Sequence, residues 1–376
     1  MATIGDVARH AGVSPVTVSR VINGGRNVKP ATRERVFQAI HELNYVPSGV
    51  ARSLRSKRTH ALALLVPDIT NPFWTTVSRG VEDAAQNGEY SVLLCNTDEE
   101  PQKLLRYLDV IISQRVDGAI VTPYDSDAHY LSRLRERNIP TVIMDRRIDG
   151  WEVDTVSGDS ISGARALVRH LINLGHQRIA AISGPMTTST AEDRVIGYVM
   201  ALTEAGLPID PRLIKRGEFR ASSGEELAFR VFDEGINPTA IFATNNTIAM
   251  GVIKAVEQRG LRIPLDIALV CFDDFPNLSR VFPFLTVAVQ PAYDMGVRAA
   301  ELLLSRLSNS DNMPPRHVVF PTRLVIRYSC GSKMQKLCFP LPNISTEEGI
   351  LVEPIGPEER DELSHRVRTL ILSADS

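Results

Sequence analysis

Two hydrophobic rhythms divide the chain. Up to residue 45 the apolar positions recur at helical spacing: Ile4, Val7 and Ala8, then Val18, Val21 and Ile22, then Val36, Phe37, Ile40 and Leu43. This pattern predicts three short helices. Thr3 caps the first, with Asp6 three residues on. "HAGVS" is the turn after it, where Gly12 takes a left-handed conformation without steric penalty. Ser14 caps the second helix, and Pro15 sits at its first position, where a missing N–H costs nothing. The third runs from about Ala31 to Asn44, with Val36, Phe37, Ile40 and Leu43 facing inward.

From His60 the rhythm changes. Apolar β-rich runs appear at "ALALLVP", "SVLLC", "GAIVTP" and "TVIMD", with helical stretches between them. A second set follows at "RIAAISGP", "TAIFAT" and "IALVCFDD", laid out like the first. Strand–helix alternation predicts parallel sheets covered on both faces. The expected fold is an N-terminal all-α helix-turn-helix module followed by an α/β body of two doubly wound parallel-sheet subdomains.

Charge separates the same two parts. Residues 1–60 hold ten Lys+Arg against three Asp+Glu, and the remainder holds 32 against 41. A compact basic module on an acidic body suits nucleic-acid binding. In a helix-turn-helix the second helix enters the major groove. Pro15, Val16, Thr17, Ser19 and Arg20 would be exposed on it, with Pro15 and Val16 able to touch thymine methyls and Arg20 the candidate for bidentate bonds to guanine. Thr17, Asn23, Thr32 and Arg33 are placed for phosphates. A helical protein-interaction module is the alternative reading of this pattern.

The stretch "VARSLRSKR" bears on that choice. Pro47 ends the third helix, Ser48 can cap a further short one, and Val50, Ala51 and Leu54 form one narrow apolar side among Arg52, Arg55, Lys57 and Arg58. So short a helix is not stable alone in water. A minor-groove binder gives it a purpose: Leu54 wedges between base steps while Arg52 and Arg55 hold groove and phosphates.

"ATIGDVARHAGVSPVTVSRVIN", "LNYVPSGVARSLRSKRT" and the later "NPFW" resemble the lactose-repressor (LacI/GalR) family of bacterial transcription regulators, the hinge most resembling its purine-repressor branch. The similarity runs from residue 2 to about 330. It implies a homodimer, or a higher oligomer, on a palindromic double-stranded DNA operator, with paired hinge helices in the central minor groove. It adds Thr3, Ser14, Tyr45 and Ser48 to the DNA-contacting set. It implies domains at 1–46 (helix-turn-helix), 47–59 (hinge), and 60–333 (effector binding and dimerisation), leaving 334–376 as an extension of unknown role. Within the body, one subdomain spans about 60–160 plus 292–320 and the other about 161–291 plus 321–333.

Polar and aromatic residues gather just after the strands of both sets: Asn71, Phe73 and Trp74; Asp145 and Arg146; Thr190 and Arg194; Phe219; Asn245; Asp273; and Gln290. In doubly wound folds ligands bind at the carboxyl ends of strands. Aromatic plates with carboxylates, guanidiniums and amides between them suit a sugar. Each residue alone is more often mundane, an Asp after a strand being commonly a helix cap; the set recurring at the same edge in both halves is what points to a ligand. The body also resembles ribose-binding members of the periplasmic sugar-binding fold, which favours a pentose such as ribose. Trp74 stands where another aromatic is usual. Asn245–Asn246 replaces the usual Asn-Asp, and Cys271 stands where Gly is common.

No motif of a nucleotide-hydrolysing loop, nucleophile elbow, zinc protease or dinucleotide fold is present. Asp145 and Asp273 could be pictured as a glycosidase pair, but the arginines beside them would keep both ionised, leaving no general acid. The expectation is a non-enzyme without cofactor or metal. Cys95, Cys271, Cys330 and Cys338 form no CxxC and read as buried thiols of a reducing cytoplasm. The N-terminus lacks the pattern of a signal peptide and no membrane span is expected, so cytoplasmic localisation, at the nucleoid when on an operator, follows. Rival readings are a transport-type sugar-binding protein and a purine- or nucleoside-responsive corepressor-dependent regulator. In the extension, 338–356 reads as a linker, and Leu363, Val367, Leu370 and Ile371 mark one face of a helix that packs on its own subunit, oligomerises or stays disordered.

Overall fold

The computed structural model describes residues 2–22, 24, 28–45, 58–275, 284–308, 313–332 and 350–351. The chain divides into two compact units, one reaching to residue 61 and including Arg115–Asp117, the other formed by the rest of the α/β body.

In the first unit, α1 (Ile4–Ala11), α2 (Pro15–Ile22) and α3 (Pro30–Glu42) enclose a small core of Val7, Ala8, Ala11, Val18, Val21, Val36 and Ala39. Thr3 and Asp6 form a reciprocal capping box on α1, and Gly12 ends that helix at φ 64°. The Ser14 hydroxyl accepts the Thr17 N–H at 3.2 Å and thereby caps α2. Phe37 departs from the inward role expected of it: it is 51% exposed. The buried stripe of α3 runs Val36, Ala39, Ile40, Leu43, and Phe37 lies about 100° round the helix from Val36. A small alanine closes this core where an aromatic was expected.

The body begins with β1 (Ala61–Val66), α4 (Pro72–Asn87), β2 (Ser91–Asn96), α5 (Pro101–Ser113), β3 (Gly118–Val121), α6 (Ser132–Glu136), β4 (Thr141–Met144) and β5 (Asp154–Gly158). A second α/β run follows: α7 (Ser160–Asn173), β6 (Ile179–Ser183), α8 (Ser189–Glu204), β7 (Ile214–Arg216), α9 (Ala221–Asp233), β8 (Ala240–Ala243), α10 (Asn246–Gln258), β9 (Ala268–Phe272) and β10 (Thr286–Val289). The chain then returns through α11 (Ala292–Ser308), β11 (His317–Phe320), β12 (Arg323–Val325) and β13 (Ile350–Leu351).

Two sheets result. The first has six strands in the order β11-β5-β4-β3-β1-β2, and the second seven in the order β13-β12-β10-β9-β8-β6-β7. Central strands are continuous apolar runs because helices cover both faces: β1 "ALALLV" has five of its six residues buried. β2 is an edge strand and leaves Leu93 and Leu94 exposed. The chain crosses between lobes at residue 159, at 290–291 and at 321–322. These crossings touch. The Asp159 N–H donates to Phe320 O at 2.9 Å. A Cβ on Gly158 would fall 1.8 Å from Gln290 Oε1, so only glycine lets that side chain pass.

Part of the extension is a strand. Ile350 and Leu351 pair antiparallel with Leu324 and Arg323, adding β13 outside β12. The linker reading of 338–356 is corrected at these two residues: an apolar dipeptide finds an open sheet edge. The helical face at Leu363, Val367, Leu370 and Ile371 lies outside the described residues.

Candidate functional site

On the helical unit, Pro15, Val16 and Arg20 stand exposed along α2, while Thr17 and Ser19 are half-buried. The Thr17 hydroxyl lies 2.9 Å from the Ser14 hydroxyl. Thr32 and Arg33 are half-buried in the first turn of α3, and Tyr45 packs against the module's core. Thr3 is committed to the α1 capping box. Asn23, Ser48, Val50, Ala51, Arg52, Leu54 and Arg55 lie outside the described residues.

In the body, a cavity of about 430 Å³ opens between the carboxyl ends of the two sheets. The first lobe supplies Asn71, Phe73, Trp74, Asp145 and Arg146, and the second Thr190, Arg194, Phe219, Asn245 and Asp273. Ten of the eleven residues expected at an effector site therefore line one cavity. Gln290 does not. It stands behind the wall, where its Nε2 donates to Asp273 Oδ1 at 2.8 Å.

The local sequence explains each placement. Asn71 and Asn245 are helix N-caps: Asn71 Oδ1 accepts the Phe73 N–H at 3.0 Å, and Asn245 Oδ1 accepts the Ile248 N–H at 2.7 Å. The cap reading and the cavity reading both hold for these two residues. Phe73 and Trp74 follow Pro72 into α4 and meet edge to face, with centroids 4.9 Å apart. Phe219 lies flat against Gly184, where a Cβ would sit 2.5 Å from the ring. The Arg146 guanidinium faces the same ring across the cleft, 5.7 Å from its centroid.

The charged groups form a buried set. Glu99 receives both terminal nitrogens of Arg146, at 2.9 and 2.5 Å. Arg194 donates to Thr244 O at 2.7 Å, lies 3.4 Å from Asp273 Oδ2 and covers Phe272 at 3.9 Å. Burial pushes the Asp145 carboxyl up to about 6, with Arg194 and Arg146 opposing the shift. Burial raises Asp273 as well, against Arg194 and the Gln290 hydrogen bond. Loss of hydration thus outweighs the pull of the arginines in direction, and both carboxyls sit above the ordinary carboxylate range.

Among the described residues, Asp145 Oδ1, Arg146 Nε and Arg194 Nε are buried without a hydrogen-bond partner in the protein. Buried polar atoms are normally satisfied, so an acceptor and two donors left over at one cavity mark where a polar ligand fits. The site also includes Asp68, Thr70, Asp98, Glu99, Glu100, Arg220 and Thr247, which the sequence reading passed over. Asp98 and Glu99 follow β2 directly, the same position after a strand that marked the others. No helix among the described residues is long and apolar enough to cross a membrane.

Comparison with known proteins bears on both units. Residues 3–48 match the model of bacterial regulatory proteins of the lacI family. Residues 59–328 match that of periplasmic binding proteins and the sugar binding domain of the LacI family. The chain is 37% identical over 328 residues to catabolite control protein A of Priestia megaterium, covering 87% of this chain and 98% of that protein. It is 38% identical over 331 residues to a ribose operon repressor of Halalkalibacterium halodurans, covering 87% and 96%. A lac repressor dimer bound to operator and the anti-inducer ONPF superposes with a TM-score of 0.76 at 29% identity, covering 88% of this chain and 99% of that one. The chain accordingly belongs to the lacI family of bacterial regulatory proteins, as a DNA-binding transcriptional repressor joined to a ligand-binding domain of the periplasmic-binding-protein type.

Proposed function

We propose that this repressor binds a palindromic operator as a homodimer and answers to a small, neutral, unphosphorylated sugar, with a pentose such as ribose favoured. The observation that carries the effector reading is the set of unpartnered buried atoms, Asp145 Oδ1, Arg146 Nε and Arg194 Nε, in a cavity walled by Phe73, Trp74 and Phe219. A sugar offers hydroxyls to the former and apolar C–H faces to the latter. Six carboxylates line the cavity (Asp68, Asp98, Glu99, Glu100, Asp145 and Asp273) against three guanidiniums. Arg146, Arg194 and Arg220 each lie beside a carboxylate already, namely Glu99, Asp273 and Glu218. Such a lining disfavours a phosphate group.

For the homodimer, the exposed Leu93 and Leu94 on an edge strand are the kind of surface that association covers. For the DNA reading, Val16 and Arg20 stand exposed on α2. Leu54 as a minor-groove wedge remains part of this proposal. A regulator of this kind works in the cytoplasm on the nucleoid, without cofactor or catalysis.

Fluorescence anisotropy on a labelled palindromic operator tests the reading. The operator complex is titrated with ribose, other pentoses, hexoses, ribose 5-phosphate and hypoxanthine. A shift in operator affinity with a free pentose supports it. A response to hypoxanthine or only to the phosphorylated sugar overturns it.

A further inference from the structure

Asn71 and Asn246 face each other across the cleft, one from each lobe. Asn71 Nδ2 donates to Asn246 Oδ1 at 2.9 Å, and Asn246 Nδ2 donates back to Asn71 Oδ1 at 3.0 Å. Asn246 Nδ2 also reaches Asp274 O at 3.2 Å, and Asn246 Oδ1 accepts the Thr247 N–H at 2.9 Å. This pattern fixes the orientation of the amide. Turning it over would set its oxygen against two acceptor oxygens and its NH₂ against an N–H. Asn246 is wholly buried and does not line the cavity, whereas Asn71 does.

We propose that Asn246 is a positioning residue for effector binding: its reciprocal amide pair with Asn71 draws the lobes together and aims the Asn71 side chain at the cavity wall. The pair is a contact the protein makes with itself, so part of the free energy of closure does not depend on what the effector touches. An effector that finds the cleft already drawn together binds more tightly, because less of its own interaction is used to bring the lobes in.

With these partners around it, this chain's amide does what the aspartate usual at the position would not. An aspartate of the same shape would turn the two N–H donors of Asn246 into an oxygen facing Asn71 Oδ1 and Asp274 O. Repulsion replaces attraction, and the pair opens. Asp274 is itself held by both terminal nitrogens of Arg327, each at 2.8 Å, so the carbonyl that receives Asn246 has little freedom to turn away.

This inference rests on the cleft being the effector site, so the test separates the two claims. Donor and acceptor dyes on Glu136→Cys and Glu257→Cys, exposed positions on opposite lobes, report lobe separation with no sugar present. Asn246→Asp and Asn246→Ala are expected to lengthen the mean separation relative to the native chain. In calorimetry with ribose, each variant is expected to bind about tenfold more weakly, the loss of one to two hydrogen bonds. In an Asn71→Ala background, Asn246→Ala is expected to cost less than about twofold, because its partner is gone. Native lobe separation in Asn246→Asp, or a full tenfold loss in the Asn71→Ala background, overturns the proposal. Failure of the native chain to bind ribose counts against the effector assignment alone, since the dye measurement still decides the positioning role.

Discussion

Asp145 and Asp273 occupy matching stations in the two lobes. Each is the first residue past a strand, β4 or β9, and each is left-handed, at φ 67° and 66°. Each donates its N–H to the neighbouring strand, Asp145 to Val156 O at 2.7 Å and Asp273 to Ala288 O at 2.9 Å. Aspartate tolerates this conformation better than most residues, which lets a carboxylate be turned off the end of a sheet. Both carboxyls arrive buried at one cavity, and burial raises the pKa of both.

The first prediction concerns pH. Burial pushes the Asp145 carboxyl from its ordinary 3.8 up to about 6. Between these values the native state holds a proton that the unfolded chain has released, so stability falls as pH rises from about 4 to about 6. Asp193, buried and pushed to about 6 against the pull of Arg147, adds to the same window. Asp145→Asn should flatten part of the fall in thermal midpoint across that window, leaving the shares of Asp193 and Asp273. A sugar hydroxyl donating to the Asp145 carboxylate favours the ionised form. Effector affinity should therefore weaken below pH 6, with proton release measurable by calorimetry in buffers of different ionisation enthalpy.

Arg194 is predicted to matter twice. Arg194→Ala removes the cation beside Asp273 and the donor to Thr244 O. Breaking a buried pair on one side costs about 3–5 kcal/mol of stability. Asp273→Asn in the same chain should recover part of that, as read by chemical denaturation. It should not restore the effector response on operator, since the guanidinium stays missing from the cavity.

Helix contacts in the first lobe leave no room at Gly80 or Gly296. A Cβ on Gly80 would fall 2.2 Å from Tyr293 O, and one on Gly296 would fall 2.2 Å from Val77 O. Gly80→Ala should push α4 and α11 apart, with an overpacking cost of about 1–3 kcal/mol. Denaturant unfolding would show it as a lower midpoint at unchanged slope.

Arg20 is exposed on α2 and belongs to no part of the module's core. Arg20→Ala should weaken operator binding by about 1–3 kcal/mol and relax preference at one base pair of each half-site. The helical content of the unit should stay the same by circular dichroism. Equal loss on operator and on unrelated duplex would mark Arg20 as a phosphate contact instead.

How much of this was legible in the sequence varies with the physics involved. Helix starts were readable because Thr3, Ser14 and Pro15 act locally. Strand cores were readable because buried parallel strands are continuous apolar runs. Asn71, Asp145, Arg194 and Phe219 were readable by their position just after strands. Phe37 was misplaced because helical spacing alone does not say whether an alanine or an aromatic closes a small core. Gln290 was assigned to the cavity because its place behind Asp273 depends on Gly158, a residue more than a hundred positions away. Glu99 carries the same signal, a place just after β2, while its hold on Arg146 and the reach of Arg220 across the cleft to Asp98 O leave no local mark.

The three crossings at 159, 290–291 and 321–322 constrain how the chain is made. The first lobe's sheet is not complete until β11 has left the ribosome, some 160 residues after β5. During that interval β5 waits with one edge unpaired while the second lobe from α7 to β10 is synthesised. A nascent chain halted inside the second lobe would present that edge to its neighbours. For the same reason no single cut separates the lobes, and a chimera that exchanges one of them must be joined at three places.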